Sequence, residues 1–358
     1  MLKPKKLNKG DKIAVVSLSR GLLGMPFCKH ELDIAVKRIK NFGLIPVIMP
    51  NALKDIKYLE DHPEARASDL KQAFMDKEIK AIICAIGGDD TYKTIPYLME
   101  DEEFIKAVKN NPKIFVGFSD TTNNHLMLSK LGLVTFYGPC VLCDFAELDN
   151  DMLPYTKEYF NKFFLNESSY EIKSSPVWYY DRKSYGEEEI GKPRRSQKET
   201  HGFETLNGSG KVIGKLYGGC LESLYDAYTS ERHGDDNEMY DKYSILPTIG
   251  EWEEKILFVE TSQELMSPDK LEEILKYFKG KGILGSVRGI VVGKPMDERY
   301  YEEYKEVYIK VFKDMDTPIL YNVNFGHSVP RCILPYGIKA TVDYDYKRIT
   351  IDEPIFKV

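Results

Sequence analysis

The sequence has 358 residues, 42% hydrophobic and 30% charged, with a formal net charge of −6. That length accommodates two domains with real cores, and the acidic balance excludes a general affinity for nucleic-acid polymers. Six cysteines are too few for a disulfide framework in a chain this long, and no apolar run approaches the length of a membrane span.

The basic start, "MLKPKKLNKGDKIAVVSLS", has no apolar leader region or cleavage site, so the expectation is a cytoplasmic protein without membrane attachment. Strand and helix patterns then alternate. A buried strand over Lys12–Leu18 is followed by a helix in "HELDIAVKRIKNFG", whose apolar positions Leu32, Ala35, Val36 and Ile39 share one face and which Gly43 closes. "LIPVIMP", "IKAIICAIGG" and "KIFVGF" read as further strands; "ASDLKQAFMD", "DTYKTIPYLM" and "DTTNNHLMLSKLG" read as the helices between and after them. Apolar strands alternating with helices predict a parallel sheet covered on both faces, and such sheets bind ligands beyond the carboxyl ends of their strands.

Cys140 and Cys143 have redox or zinc spacing, but no second pair follows. Within "VTFYGPCVLCDF" they read as two buried small residues. From Trp178 to Gly210 the chain is polar, Gly-rich and aperiodic, the mark of a linker or a functional loop, and its aromatics disfavour a plain linker. A second charged stretch, "SERHGDDNEMYDKYS", reads as an exposed loop. A new α/β region begins at Lys211: "KVIGKLYGGCLESL" is a strand running through a Gly-Gly turn into a helix, and "KILFVE" is a strand. "SPDKLEEILKYFKGKG" is a helix capped by Ser267 with Pro268 at its first position. "VRGIVVGKP", "YYEEYKEVYIKVFKD" and "PILYNVNFGHS" read as strand, helix, and strand plus turn, before a terminal hairpin.

Three sites carry candidate chemistry. Ser119, Asp120, Thr121 and Thr122 stand where a helix begins, and capping alone accounts for them. The alternative is a nucleophile elbow, a tight strand-to-helix turn that exposes Ser119 where the next amide can stabilise an oxyanion. A serine nucleophile needs a base. Among six histidines, His30 and His125 fall in predicted helices, and His62, His201 and His233 in polar loops or turns. His327 follows a strand and a glycine, a place for a site residue or a merely structural one. Glu260, at the end of "KILFVE", could orient that histidine, with Glu264 as its competitor. Finally, Gly87 and Gly88 after a strand allow close backbone approach to a ligand. "GGDDT" is also similar to the phosphate-handling turn of some small-molecule kinases. No Walker-type loop, dinucleotide fingerprint or His/Cys metal cluster is present.

Taken in order, "GDKIAVVSLS", "AIGGDD", "VGFSDTT", "TFYGP", "GKLYGGCLESL", "ILFVETSQE" and "VNFGHSVPRCILPYG" resemble the serine LD-carboxypeptidases and their relatives, the microcin C immunity peptidases. The long segment with Trp178 and the run "YGPCVLCDFAE" look more like the immunity branch. The resemblance implies a triad of Ser119, Glu260 and His327, with an oxyanion hole from the amides of Gly88 and Asp120. It implies a Rossmann-like domain carrying the serine (residues 1–165) and a connecting segment with an active-site loop (166–210). A smaller C-terminal α/β domain (211–358) would bring the glutamate and histidine.

It further implies a homodimer that needs no metal or cofactor and acts on a small peptide or an aminoacyl nucleotide. On that expectation Trp178 and Phe203 are candidates for stacking on a base, with Gly87 near the substrate. The first substrate class is the microcin-type aminoacyl nucleotide, and the second is the murein tetrapeptide. A GGD-type phosphotransferase and a ligand-binding module are the readings outside hydrolysis.

Overall fold

The structure, a computed structural model, describes residues 1–357. Five parallel strands begin the chain: β1 (Lys12–Val16), β2 (Ile45–Ile48), β3 (Ile79–Cys84), β4 (Ile114–Gly117) and β5 (Phe136–Tyr137). They lie in the order β5-β4-β3-β1-β2. Every residue of β4 is buried, and all but Lys80 of β3, so both faces of the sheet are covered by other layers. The expected helices occur between the strands, among them Lys29–Asn41 and Pro63–Met75.

The middle of the chain supplies β6 (Tyr170–Ile172), β7 (Val177–Tyr179), β8 (Ser196–Lys198) and β9 (Glu204–Asn207). After it come β10 (Lys211–Cys220), β11 (Lys255–Glu260), β12 (Gly289–Gly293) and β13 (Ile319–Val323), which run parallel as the centre of a second sheet. The chain closes with β14 (Leu334–Pro335) and the hairpin β15 (Lys339–Asp343) and β16 (Arg348–Ile351). The second sheet runs β6-β16-β15-β10-β11-β12-β13-β9, while β14 returns to pair antiparallel with β5 in the first.

The sheets dock where Gly218 and Gly219, which the sequence suggested as a turn but which continue β10 in register with β11, meet the helix Thr122–Lys130. Cys220 N–H donates to Thr122 Oγ1 (3.0 Å). A β-carbon on Gly219 would lie 2.5 Å from that same oxygen, so only glycine fits.

Three expectations need correction. Helix Glu102–Asn110, started by the Asp101 carboxylate accepting from Phe104 N–H (3.0 Å), was not among the expected elements. The charged stretch read as an exposed loop holds a helix, Asp236–Lys242, which buries Met239 and Tyr240. Its two apolar residues are adjacent, so they leave no helical period to read. The aperiodic segment 178–210 forms a two-stranded sheet of β7 and β8, followed by β9 on the edge of the second sheet. Charges organise it: Glu147 is buried between Arg182 and Arg194 at 2.5 Å each. Burial pushes the Glu147 carboxyl up, but the two guanidiniums outweigh this and hold it below its usual range.

Among the described residues, no helix is long and apolar enough to cross a membrane.

Arg38, buried on helix Lys29–Asn41, secures the 145–149 segment by donating to the carbonyls of Phe145 (2.9 Å), Glu147 and Asp149 (2.5 Å). Arg38→Met fills similar volume but strands those carbonyls. It should lower unfolding free energy by about 3 kcal/mol, read from denaturant midpoints at unchanged slope.

Candidate active site

The corner after β4 is strained. Ser119 has φ +65°, a left-handed conformation that is costly for a residue with a β-carbon. Its neighbours leave room for it: a β-carbon on Gly87 would lie 2.9 Å from Ser119 Oγ, and one on Gly117 would lie 2.9 Å from Thr121 Cγ2. The plain capping reading fails, since neither the 3-10 turn Ser119–Thr121 nor the helix Thr122–Lys130 has a side-chain cap. Ser119 Oγ instead donates to His327 Nε2 at 3.1 Å.

His327 follows β13 through Gly326, where φ is +74° and a β-carbon would lie 2.2 Å from the Glu260 carboxyl carbon. This close approach lets Glu260 Oε2 accept from both His327 Nδ1 (2.8 Å) and His327 N–H (3.1 Å). The ring meets Phe118 edge-on, with centroids 5.0 Å apart. Ser119, His327 and Glu260 thus form one hydrogen-bonded chain, supplied by the ends of β4, β13 and β11. Glu264 lies apart, paired with Arg232 at 3.2 Å. Of the other histidines, His125 is fully buried between Thr135 Oγ1 (2.8 Å) and the Gly117 carbonyl (3.0 Å), and burial pushes it down to about 3. It is therefore a neutral support beneath β4.

The Asp120 side chain turns inward, accepting from Ser19 Oγ (2.6 Å), Thr91 N–H (2.9 Å) and Asn123 Nδ2 (2.7 Å), so only its backbone is available to a ligand. Gly87 and Gly88 line a cleft of about 510 Å³ together with Ser119 and His327. Asp89 and Asp90 are committed to Arg232 (2.7 Å) and Arg66 (2.6 Å), which leaves the phosphotransferase reading no free acidic pair.

Trp178 and Phe203 do not line the cleft. Trp178 is buried against Tyr180, with the Lys294 ammonium 5.1 Å over its ring, and Phe203 belongs to the core. Besides Phe118, which is buried against His327, the aromatics that line the cleft are Phe27 and Tyr185, respectively 60% and 38% exposed. Neither stands out in the sequence, because each becomes part of the wall only through tertiary packing. Sequence reasoning also missed Tyr137, within the quoted "TFYGP". Its hydroxyl accepts from Ser119 N–H (3.0 Å) and donates to Glu260 Oε1 (2.5 Å).

Residues 13–138 match the LD-carboxypeptidase N-terminal domain, and residues 213–342 match the LD-carboxypeptidase C-terminal domain. The chain belongs to the LD-carboxypeptidase family, and is a hydrolase. It is 29% identical to the microcin C7 self-immunity protein MccF of Escherichia coli over 80% of this chain and 78% of that one. It is 28% identical to a probable murein peptide carboxypeptidase of Bacillus subtilis, over 98% and 94%.

Among solved structures, a MccF-like protein from Streptococcus pneumoniae in complex with AMP is similar with a TM-score of 0.91 and 45% identity, covering 96% of this chain and 99% of that one. MccF in complex with aspartyl sulfamoyl adenosine is similar with a TM-score of 0.82 and 26% identity, covering all of both chains.

Burial alone would push the imidazole of this LD-carboxypeptidase relative down, but the charge and hydrogen bond of Glu260 outweigh it and raise His327 above its ordinary value. A base must be neutral to accept a proton. Activity should therefore fall as pH drops through a midpoint above the ordinary imidazole range. Glu260→Gln removes the raising partner and leaves burial, so the acid limb of kcat/KM should move to lower pH while the rate falls. A limb that stays in place would sever Glu260 from the titration. Tyr137→Phe strands Ser119 N–H and Glu260 Oε1, and should lower kcat by about tenfold or more with little change in KM, measured at steady state.

Proposed function

We propose that the chain is a serine peptidase that hydrolyses the amide-type bond joining a terminal aminoacyl residue to a nucleotide, with Ser119 as nucleophile, His327 as base and Glu260 as orienting carboxylate. The observation that carries this reading is the continuous hydrogen bonding from Ser119 Oγ to His327 (3.1 Å) and on to Glu260 (2.8 Å), at the wall of the cleft. His327 Nε2 takes the serine proton as Oγ attacks the carbonyl, and Glu260 stabilises the imidazolium. The oxyanion is assigned to the backbone N–H groups of Gly88 and Asp120. Ser119 N–H is already spent on Tyr137, which leaves the following amide as the donor. His327 then protonates the leaving group and activates water to release the acyl group. These side chains supply every proton-transfer role, so the reading calls for no cofactor.

The nucleotide preference is supported by the AMP and aspartyl sulfamoyl adenosine complexes of the similar proteins. The flat, exposed faces of Phe27 and Tyr185 beside the cleft support it as well. Cleavage of a murein tetrapeptide is the second reading, favoured by the near full-length match to the Bacillus subtilis protein.

Aspartyl sulfamoyl adenosine and a murein tetrapeptide, incubated separately with the protein and followed by mass spectrometry, decide between the two. Release of aspartate is expected from the first, insensitive to a chelator and reduced at least about 1,000-fold by Ser119→Ala. Turnover of the tetrapeptide alone would move the assignment to murein. Full activity in the Ser119→Ala protein would end the serine mechanism.

A further inference from the structure

The Cys140-x-x-Cys143 spacing has no part in the hydrolytic mechanism, and the structure does not bury it completely. All six cysteines are free thiols; five are buried, and Cys143 alone is partly exposed. Cys143 also lines the cleft that holds Ser119 and His327. The pair sits at the start of a π-helical turn, Val141–Phe145, a local irregularity that recurs at functional sites. Only three residues apart, the two thiol groups influence each other electrostatically. The neighbouring Cys140 thiol draws the Cys143 thiol below its ordinary range, with the Arg331 guanidinium helping against the opposing effect of burial. Burial pushes Cys140 far up, so it stays a protonated thiol.

We propose that Cys143 is a peroxide-reactive thiol facing the cleft, with Cys140 as its resolving partner, so that a Cys140–Cys143 disulfide forms beside the catalytic serine and lowers hydrolysis. The Cys143 thiolate attacks the distal oxygen of a hydroperoxide; the S–O bond forms, the O–O bond breaks, and the alkoxide or hydroxide leaves and takes up a proton. The Cys140 sulfur then attacks the sulfenic sulfur. The S–S bond forms, the S–O bond breaks, and the Cys140 proton departs with the hydroxide as water. The peroxide is reduced, and the two thiols are oxidised by two electrons.

The turn is connected to the catalytic residues, which gives the bond its effect. Closing the disulfide holds the sulfurs about 2.05 Å apart and tightens the turn. Asp144, inside that turn, accepts from Cys140 N–H (2.8 Å) and pairs with buried Arg331 (2.6 Å). Arg331 in turn donates to the Gly326 carbonyl (2.7 Å) and lies 4.2 Å over the Phe118 ring. Gly326 precedes His327 and Phe118 precedes Ser119, so strain in the turn reaches the base and the nucleophile together.

The effect on hydrolysis rests on the proposed function; the modification itself does not. The full-length protein is treated with hydrogen peroxide, then divided for peptide mapping by mass and for turnover of whichever substrate it cleaves. Expected is a peptide spanning residues 140–143 lighter by two hydrogens. A fall in hydrolysis of about tenfold, the scale a small misplacement of catalytic groups produces, should accompany it, and dithiothreitol should reverse both changes. Cys140→Ser should stop at a Cys143 sulfenic acid that dimedone traps, and Cys143→Ser should leave Cys140 unmodified. Each variant is compared with its own reduced rate, so a fixed cost of substitution does not enter. Both thiols surviving peroxide unchanged would overturn the proposal, as would a disulfide that leaves turnover intact. If neither substrate is cleaved, the functional reading fails, and the mass change alone decides for or against the thiol pair.

Discussion

The Glu260 carboxylate is the point on which the rest of the site depends. One of its oxygens receives the imidazole and the backbone N–H of His327, and the other receives the Tyr137 hydroxyl. Tyr137 belongs to the first sheet and Glu260 to the second, so a single buried carboxylate ties the two halves of the molecule together beside Ser119 and His327. A carboxylate with almost no access to water is tolerable only when its lone pairs are filled. Three donors fill them here. The bond from Nδ1 sets the ring tautomer, leaving Nε2 facing Ser119.

The arrangement also explains the glycines around it. A serine, a histidine and a glutamate brought in by three separate strands need backbone and side chain to approach more closely than a β-carbon allows. Gly326 against Glu260, Gly87 against Ser119 and Gly219 against Thr122 are the places where that happens. The first holds Glu260 against His327, the second gives the serine its space, and the third lets the sheets meet. These are different constraints, and one residue type satisfies all of them by having nothing beyond its α-carbon.

How far the sequence could be read follows from which forces act locally. The parallel strands and their helices were legible because buried strands must be apolar throughout and covering helices must be amphipathic. Ser119, Glu260 and His327 stood out as candidates because strand ends followed by tight turns are where such sheets present side chains, and it was the family resemblance that joined them into a triad. Tyr137 could not: one more apolar-flanked aromatic in "TFYGP" shows nothing of the carboxylate 123 residues away that its hydroxyl meets. The segment after Trp178 was opaque for a related reason. Its order comes from Arg182 and Arg194 closing on Glu147, pairings that leave no periodic trace. Trp178 misled in the opposite sense, since an aromatic in a polar stretch suggests a ligand platform, whereas here it is buried beneath Lys294.

Strain and support meet at Ser119. A left-handed serine costs on the order of 1–2 kcal/mol and persists only where its surroundings over-determine it. Here they do so from several sides. Its N–H is held by Tyr137, its carbonyl by Thr122 Oγ1 (2.7 Å), and the Gly117 carbonyl two residues earlier by the neutral His125. Each restraint uses a buried polar group that would be costly if left unpaired, so relaxing the serine would expose several unmet hydrogen bonds at once. The corner is therefore stable because its alternatives are worse, not because its own conformation is favourable. That rigidity keeps the hydroxyl aimed at His327 with no rearrangement needed to bring the two together.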